Sequence, residues 1–531
     1  MIWVRCKSAP MSDYDAIVIG AGHNGLTAAA ILARGGLRTL VLEKNKYAGG
    51  MASTVELFDG YHYEIAGSVL FPPAPDIVAD LGLDALRTVD TKVMSVNLGG
   101  PDDEPMIFYR DAEQLMMHLA EKHGADAMMG MAELLGWAEA PARALGRFDV
   151  RKPPRTIDEM YACANTEAER AAISDMLFGS VMDVLNRFFP DKEKSRVMRG
   201  MLAFLAVNST YRGPYTPGSA TCLAYALAAP PGVEMMQKLE GGIGALTGHI
   251  RQLFEANGGE LRLKAIVERI LVDGNRVTGV EMKGGEVISA PIVLSNLDPG
   301  VTFTQLLDPS SLPGDLISRV SRVDHRAAYI QMHFALDGLP EYAAPYEFLN
   351  DPELQGSIGM FGSPEDMQLD WENCRRGVVP ENPSMGLQIP SVHDAVLAPA
   401  GKQAASAFAM YFPVENDRTT HGKLKEEMGQ RVMDKITRLA PNFRDLITRH
   451  TTFASYHMET MFGCPGGDFC HGLIHPELMG ANRPGPRGWQ DMEVPLDGLY
   501  LGGAGCAGGP GITFIPGYNA GYEVLEASKS A

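Results

Sequence analysis

The sequence predicts an α/β fold with two interleaved domains, and three features carry that prediction. A short apolar strand ends in the pattern Gly20-x-Gly22-x-x-Gly25. An alanine-rich helix follows, and a second apolar strand then ends in Glu43. Strand, helix and strand in that order form the crossover unit of a parallel sheet. The chain of 531 residues is also too long for one ordinary core, so we expect two domains.

The glycine pattern has the spacing and the context that bind a dinucleotide. Gly20 permits the tight turn out of the strand, Gly22 lets the backbone approach a pyrophosphate, and Gly25 lets the helix pack against the sheet. The helix N-terminus offers free N–H groups and a positive dipole end to the phosphates. Glu43, 18 residues beyond Gly25, is placed to accept hydrogen bonds from a ribose diol.

The composition of the chain changes at about residue 76 and again after Leu239. Residues 76–239 are rich in helix formers and methionine, which indicates ordinary helical core or, alternatively, a flexible apolar pocket. Strand and turn patterns return after Leu239. Apolar alternation over 265–282 around Asp273-Gly274-Asn275 predicts a hairpin, and residues 286–295 predict one further strand. These segments indicate that the dinucleotide-binding domain resumes after an insertion.

The last third of the chain is predicted to contain both strands and helices. Strands are predicted at 327–336 and 405–414, and an amphipathic helix at 423–439. The chain ends with a strand from Leu499, a glycine cluster and a helix over 518–527. Gly503-x-Gly505-x-x-Gly508 repeats the opening pattern. However, Pro510 interrupts where a long helix should start, so we predict a single bound dinucleotide.

These patterns divide the chain into three parts. Residues 1–11 are predicted to be an N-terminal extension. Residues 12–75, 240–310 and 490–531 form a discontinuous dinucleotide-binding domain, and residues 76–239 and 311–489 form a substrate-binding domain.

Composition and charge narrow the function classes. The net charge of −19 repels phosphate backbones, so nucleic acid is not expected as a partner. No window is apolar enough for a membrane span, and the first ten residues lack the apolar run of a signal peptide, so we predict a cytoplasmic location. Seven scattered cysteines without a Cys-x-x-Cys pair argue against a disulfide framework, a dithiol reductase and a zinc site, and no metal is predicted.

Several motifs together resemble the FAD-dependent phytoene desaturase and amine oxidase superfamily, in its phytoene-dehydrogenase-like branch. They are the loop Ile19-Gly-Ala-Gly-His-Asn-Gly, Gly49-Gly50, Gly241-Gly-Ile-Gly, Ser295-Asn-Leu-Asp-Pro and the C-terminal Leu499-Tyr-Leu-Gly-Gly-Ala-Gly. The resemblance runs from about residue 13 to the C-terminus. It implies a Rossmann-like FAD-binding domain of the GR2 flavoprotein type, interleaved with an α+β substrate domain.

The resemblance also implies which residues contact non-covalently bound FAD. Gly20, Gly22 and Gly25 would contact the pyrophosphate, Glu43 the adenosine ribose, and Val267 the adenine through its backbone. The full set of expected cofactor-binding residues is Gly20, Gly22, His23, Asn24, Gly25, Glu43, Lys44, Gly49, Gly50, Met51, Val267, Asn296, Gly503, Ala504, Gly505, Gly511, Ile512 and Tyr518. Two of them depart from the family pattern: Met51 replaces a common basic residue, and Ala504 replaces a common Asp.

The reaction implied by the resemblance is oxidation of a C–C or C–N single bond of a hydrophobic small molecule, with a hydride passing to flavin N5 and oxygen or a quinone reoxidising the flavin. An amine oxidase that releases hydrogen peroxide is one alternative. An FAD-containing isomerase or interaction protein without net oxidation is another. Peripheral membrane contact and a homodimer are further expectations.

Few side chains are singled out for catalysis. His62 and Glu64 follow the second glycine pair and are candidates to approach the flavin. Tyr211 and Arg212 are candidates to hold a polar substrate end or to brace a loop. His471 is a candidate proton acceptor, since an imidazole titrates near neutral pH. A structural hydrogen bond is the competing interpretation for each histidine.

Overall fold

A computed structural model describes residues 12–68, 70, 73–208, 210–227, 237–326, 328–415 and 417–530. The predicted extension over 1–11 lies outside the described residues. The strands, in chain order, are β1 Ala16–Ile19, β2 Thr39–Leu42, β3 Thr54–Phe58, β4 Tyr61–Glu64, β5 Val93–Leu98, β6 Met106–Tyr109, β7 Glu260–Arg262, β8 Val267–Asp273, β9 Arg276–Met282, β10 Val287–Ser289, β11 Ile292–Ser295, β12 Tyr329–Leu336, β13 Ser357–Met360, β14 Met385–Gln388, β15 Gln403–Met410, β16 Ile447–Phe453, β17 Gly488–Trp489, β18 Met492–Glu493 and β19 Leu499–Leu501.

The helices, in chain order, are α1 His23–Arg34, α2 Pro75–Leu81, α3 Ala112–Lys122, α4 Ala125–Leu145, α5 Ile157–Ala162, α6 Glu167–Phe178, α7 Val181–Phe188, α8 Arg196–Val207, α9 Ala220–Leu227, α10 Gly244–Ala256, α11 Pro299–Thr304, α12 Gly314–Val320, α13 Pro364–Cys374, α14 Arg418–Leu439, α15 Phe443–Leu446, α16 Ser455–Phe462 and α17 Ile515–Ser530. Within the ranges that the structure describes, each helix is too short or too polar to cross a bilayer.

A five-stranded parallel sheet gathers strands from distant parts of the chain. Its order is β19-β11-β1-β2-β7. β1 and β2 are buried at every position, because parallel strands are covered on both faces. Helices α1, α10 and α17 pack together beside this sheet. Gly521 in α17 makes the close approach to α1 possible, since a Cβ there would lie 3.2 Å from Ala28 Cα. The predicted α/β class with a Rossmann-like parallel sheet is confirmed; the domain boundaries stay a prediction.

The predicted hairpin is present, whereas the segment predicted as one strand after it forms two strands. β8 and β9 pair antiparallel around a Gly274-Asn275 turn, as the alternation predicted. The single strand predicted over 286–295 is wrong. It splits into β10, which pairs with β9, and β11, which pairs with β1 in the parallel sheet. Pro291 stands between them, and a proline has no N–H to continue a ladder.

A second sheet has seven strands in the order β16-β12-β15-β14-β13-β5-β6. Its strands alternate between two faces. On β12, Ile330, Met332 and Phe334 face α14 and join its buried residues Met428 and Val432 in one core. The opposite face, which includes Gln331 and Phe408, forms a wall of an internal cavity. This sheet therefore serves both as core and as the boundary of a compartment.

Candidate functional site

The glycine loop after β1 is shaped for a ligand that approaches the backbone. Gly20 has φ +94°, a conformation that side chains other than glycine rarely adopt. A Cβ on Gly25 would lie 2.1 Å from the Gly20 carbonyl oxygen, so no larger residue fits there. Gly22 is the N-cap of α1, and the first turn of α1 carries no acidic side chain. The first amides of this helix, which have no intrahelical acceptor, are therefore suited to bind phosphate.

Glu43 is held in place at the end of β2. Its Oε2 accepts a hydrogen bond from the Ala21 N–H at 2.8 Å, and its Oε1 accepts one from the Asn45 N–H at 2.8 Å. Only 6% of Glu43 is exposed. These two bonds fix the carboxylate beside the glycine loop, where it retains lone pairs that can accept from a ribose diol.

The second glycine pair packs directly on the first loop. The Gly49 N–H donates to the Ala21 carbonyl oxygen at 2.7 Å. Gly49 and Gly50 have φ values of +114° and +60°. A Cβ on Gly50 would lie 3.2 Å from Gly22 Cα. Because both loops are bare backbone here, a ligand in the neighbouring cavity can approach the main chain of both.

Chain segments from the middle and the C-terminus close the loop from the other side. Asn296, just past β11, donates from Nδ2 to the Gly20 carbonyl oxygen at 3.2 Å. Asn24 accepts on Oδ1 from the Gly517 N–H at 3.2 Å. Gly503 lies so close to Asn296 that a Cβ would meet its carbonyl oxygen at 2.6 Å. The C-terminal glycine cluster is thus needed for packing against the loop after β11.

These elements enclose a cavity of about 350 Å³, which we call the dinucleotide cavity. The expected cofactor residues that line it are Gly20, Gly22, His23, Asn24, Glu43, Lys44, Gly49, Gly50, Met51, Val267, Asn296, Ala504, Gly511 and Ile512. Four expected residues do not line it: Gly25, Gly503, Gly505 and Tyr518. Gly25 and Gly503 act through packing, as above. Tyr518 instead packs on Tyr522, with ring centroids 4.9 Å apart. The individual cofactor contacts stay predictions.

Two histidines line the cavity, and burial lowers the pKa of both. Burial, with a smaller effect from the charge of His471, lowers the pKa of His23 to about 4. Burial also lowers the pKa of His471, against the opposing effect of Asp298 and Asp468. His471 has φ +49°, and its Nδ1 is buried without a hydrogen-bond partner among the described residues. An unpaired atom in a residue that lines the dinucleotide cavity is suited to bind a polar group.

A buried charged cluster lies behind His471. His325 Nδ1 is 3.2 Å from Asp468 Oδ2, and His325 Nε2 is 3.7 Å from Asp298 Oδ2. Burial opposes protonation of His325, but the two carboxylates outweigh it and raise its pKa. Arg483 ties the cluster to the loops by donating to the carbonyl oxygens of His471 and Ala504. The cluster therefore fixes two loops that border the dinucleotide cavity.

A second cavity, of about 340 Å³, lies against the seven-stranded sheet. The two cavities are neighbours, because they share five wall residues: Ala66, Ser68, Leu205, Asn208 and Phe469. We call these five residues the neck. Five phenylalanine rings line the second cavity, Phe108 among them, and Phe204 and Phe361 are stacked with centroids 4.2 Å apart. Phe408 and Phe469 continue this aromatic wall.

The candidate catalytic residues are spread more widely than the sequence suggested. Glu64 lines the second cavity and pairs with Lys238 at 3.4 Å. His62 borders only a small crevice beside Glu64, and its Nδ1 is buried without a partner among the described residues. His471 lines the dinucleotide cavity. Of the three, Glu64 and His471 lie where a reacting molecule can reach.

Tyr211 and Arg212 line neither cavity. The Tyr211 hydroxyl is 2.6 Å from Cys374 Sγ, and burial raises the pKa of Tyr211 well above its usual range. Arg212 pairs with Asp324 at 3.2 Å and with Glu477 at 3.1 Å. Both residues bind neighbouring segments of the chain, and their two candidate roles stay predictions.

Sequence reasoning missed much of the cavity walls. Asp298 was readable in principle, because Ser295-Asn-Leu-Asp-Pro follows a buried strand. Leu205 and Tyr225 had no such signal, since they look like ordinary core residues until the chain folds. Over the described part of the chain, no three His, Cys, Asp or Glu side chains gather as a metal site.

Comparison with known proteins identifies the family. The pattern of the flavin containing amine oxidoreductase family matches residues 25–524. The chain is 28% identical over 568 residues to pyridine nucleotide-disulfide oxidoreductase domain-containing protein 2 of Rattus norvegicus, covering 99% of this chain and 97% of the relative. It is 26% identical over 410 residues to a zeta-carotene-forming phytoene desaturase of Myxococcus xanthus, covering 75% and 72%.

A solved structure has the same fold. Putrescine oxidase bound to putrescine superposes with a TM-score of 0.59 at 15% identity, covering 98% of this chain and 99% of that one. The glycine cradle, the fixed Glu43 and the unpaired His471 atom fit a flavin dinucleotide. The chain belongs to the flavin containing amine oxidoreductases, within the superfamily of FAD-dependent amine oxidases and phytoene desaturases, and its cofactor is FAD.

Proposed function

We propose that this oxidoreductase dehydrogenates a hydrophobic small molecule, turning a C–C or C–N single bond into a double bond, with oxygen or a quinone as the final electron acceptor. The observation that carries the proposal is the second cavity, which shares the five residues of the neck with the dinucleotide cavity. Bound FAD supplies the hydride acceptor, atom N5. The chain's own part is to bind the substrate, orient it and take its proton.

Binding and orientation are assigned to the aromatic wall. Phe204, Phe361, Phe408 and Phe469 present flat apolar surface to one side of the second cavity. A substrate that covers these rings gains the free energy of apolar burial and excludes water from the neck. Phe469 belongs to both cavities, so it places the bound molecule beside the cofactor compartment.

Proton removal is assigned to His471. Burial lowers the pKa of His471, which favours the neutral form of the ring that can accept a proton. Its Nδ1 has no partner among the described residues, and the ring borders the dinucleotide cavity. Asp298 and Asp468 lie close enough to stabilise the protonated ring that results.

Oxidation of an amine, with release of hydrogen peroxide, is the second candidate. It is supported by the family match and by the shared fold with putrescine oxidase. The two candidates use the same cavities, so the reactive group of the substrate distinguishes them. Peroxide formed with amines and not with uncharged alicyclic compounds would select this second candidate.

The test is anaerobic mixing of the FAD-loaded protein with a panel of isoprenoids, steroids, alicyclic compounds and amines. We expect at least one uncharged apolar class to bleach the visible flavin band, because the substrate delivers two electrons to the flavin. Bleaching by no class, while a chemical reductant still bleaches the band, would contradict the proposal. Turnover without bleaching would instead indicate a redox-neutral isomerase.

Contact with a membrane surface is a separate proposal about delivery of an apolar substrate. Met117 on α3 and Met129 on α4 are both more than half exposed. Exposed apolar side chains on neighbouring helices favour contact with lipid. Sedimentation with liposomes tests it: binding that is lost in a Met117→Glu, Met129→Glu double variant supports the proposal, and an absence of binding contradicts it.

A further inference from the structure

A third pocket lies apart from the two cavities described above. Its volume is about 560 Å³, and it shares no wall residue with the dinucleotide cavity or the second cavity. Its wall includes residues of the segment 148–155 and, from α17, Asn519 and Glu523. Cys506 and Ala507 of the C-terminal glycine cluster also line it. Three distant segments of the chain therefore meet around this pocket.

Three buried polar atoms in wall residues of the third pocket have no partner among the described residues. They are Arg151 Nε, Arg155 Nε and Asn519 Oδ1. Asn519 is only 8% exposed, and its Nδ2 donates to the Val150 carbonyl oxygen at 3.0 Å, so Oδ1 is left as an acceptor. Buried polar groups are normally hydrogen-bonded, so these atoms indicate a polar partner that the chain does not supply.

The cations of the wall come from the segment 148–155. They are Arg151, Lys152 and Arg155. Arg151 pairs with Glu526 at 3.1 Å, whereas Lys152 and Arg155 form no ion pair with a described residue. Arg155 donates to the Arg483 carbonyl oxygen at 2.7 Å, and burial lowers its pKa. A bound anion would offset the cost of burying this guanidinium.

The wall also has three acids, which balance the three cations in number. Asp149 and Glu159 accept hydrogen bonds from backbone amides of their own segment. Glu523 forms no ion pair with a described residue, and it lies one helical turn beyond Asn519 on the same face of α17. The wall therefore presents unpaired donors on the segment 148–155 and acceptors on α17.

We propose that the third pocket binds a small organic anion that also carries hydroxyl groups, and that this ligand slows the release of FAD. The anionic group would accept hydrogen bonds from Arg155 and Lys152. The hydroxyl groups would donate to Asn519 Oδ1 and Glu523. An anion without hydroxyl groups would leave the acceptors of α17 unsatisfied, and a neutral polyol would leave the two cations unpaired.

The effect on FAD follows from two wall segments that also close the dinucleotide cavity. Ala504, two residues before Cys506, lines that cavity. The Gly517 N–H of α17 donates to Asn24 Oδ1 in the first glycine loop at 3.2 Å. A ligand that joins α17 to the segment 148–155 binds the closed arrangement of these segments. It therefore stabilises the form of the protein that encloses FAD.

The experiment compares glycerol 3-phosphate, inorganic phosphate and glycerol by calorimetric titration into the FAD-loaded protein. FAD occupies its own phosphate site in this form, so that site cannot take the added anions. We expect glycerol 3-phosphate to bind at least about fivefold more tightly than inorganic phosphate, because its hydroxyl groups add hydrogen bonds. We expect it to bind at least about tenfold more tightly than glycerol, which lacks the charge.

Two variants locate the ligand in the third pocket. Arg155→Gln should weaken the binding of glycerol 3-phosphate at least about tenfold. Lys152→Gln changes an exposed side chain, so folding is unaffected, and binding should weaken by about threefold. Arg170→Gln is the matched control, because Arg170 pairs with Glu167 at 3.1 Å and lies outside the pocket. Its affinity for glycerol 3-phosphate should equal that of the wild type.

The release of FAD is followed by the flavin-to-protein absorbance ratio after dilution and repeated filtration. Saturating glycerol 3-phosphate should slow the loss of FAD from the wild type at least about threefold. In Arg155→Gln, the same concentration should have no effect on this rate. An unchanged rate of FAD loss in the wild type, with the ligand bound, would overturn the proposed coupling.

Three results would overturn the assignment of the site itself. The first is a wild type that does not bind glycerol 3-phosphate measurably. The second is equal affinity for glycerol 3-phosphate and inorganic phosphate, which would exclude a role for the hydroxyl groups. The third is unchanged binding in Lys152→Gln and in folded Arg155→Gln, which would place the ligand elsewhere. None of these measurements depends on turnover.

Discussion

The two cavities of this flavoprotein are built by different means. The dinucleotide cavity is shaped by backbone: the loops around Gly20–Gly25 and Gly49-Gly50 touch each other directly, and one carboxylate, Glu43, is fixed between them. The second cavity is shaped by side chains that come from β5, α8, β12, β14, β15 and the loop before His471. The comparison indicates that the glycine cradle and Glu43 are a local property of the N-terminal part of the chain, whereas the substrate cavity is a property of the assembled fold.

The largest expected effect is on the backbone-shaped cavity. Gly25→Ala would place a methyl group 2.1 Å from the Gly20 carbonyl oxygen, so the loop must open. We expect FAD content to fall by at least about tenfold, since the phosphate site depends on this turn. The flavin-to-protein absorbance ratio of the purified protein measures it.

Gly248→Ala is the control for that change. Gly248 lies inside α10, and a Cβ there would meet no atom within 4 Å. FAD content should be unchanged, and the free energy of unfolding should rise by about 0.5–1 kcal/mol because alanine favours helix over glycine. Full FAD content in Gly25→Ala would contradict the account of the loop.

The next largest effect concerns Glu43, the carboxylate that is fixed beside the glycine loop of the dinucleotide cavity. Glu43→Gln keeps the shape of the side chain but removes the charge, and it replaces one acceptor oxygen with a donor. We expect the dissociation constant for FAD to rise about tenfold, as for loss of a charged hydrogen-bond acceptor. Fluorescence titration of the apoprotein with FAD gives this constant. Glu56→Gln, which affects an exposed carboxylate that accepts from the Gly60 N–H, should leave it unchanged.

A substitution in the second cavity should change substrate binding and leave the FAD content unchanged. Phe204→Leu removes a ring that stacks on Phe361 in the aromatic wall. We expect KM for the compound that bleaches the flavin to rise about three- to tenfold while FAD content stays constant. Steady-state kinetics and the absorbance ratio separate the two effects. Phe334→Leu, on the α14 face of the same sheet, should lower stability by about 1 kcal/mol without changing KM.

A pH effect on stability should arise from the cluster behind His471. Because Asp468 and Asp298 raise the pKa of His325, protonation of His325 stabilises the fold. This stabilisation is fully present below the unfolded pKa of histidine and is lost as the pH rises through the higher folded value. His325→Gln should therefore reduce the free energy of unfolding more at pH 6 than at pH 9, as measured by urea denaturation. An equal loss at both values would indicate that the ring is neutral in the folded protein.

The sequence predicted many of the residues that line the dinucleotide cavity but few of those that line the second cavity. Gly20, Gly22, Gly49 and Glu43 were readable because a positive φ, a close approach or a strand-end acid leaves a local mark in the chain. Phe204, Phe408 and Asp394 leave no such mark, since each has a common residue type in an ordinary element. The misread strand at 286–295 had a related cause. Its apolar pattern was correct, but Pro291 sends the two halves to different sheets.

The central claim is that the two cavities form one site that meets at the neck, and Leu205→Trp tests it most directly. Leu205 on α8 lines both cavities, so a tryptophan there would place a larger side chain at the wall that they share. The measurement is anaerobic flavin bleaching by the compound that reduces the wild type. We predict one FAD per chain, as in the wild type, with bleaching slowed at least about tenfold. Bleaching at the wild-type rate in the FAD-loaded variant would contradict the claim.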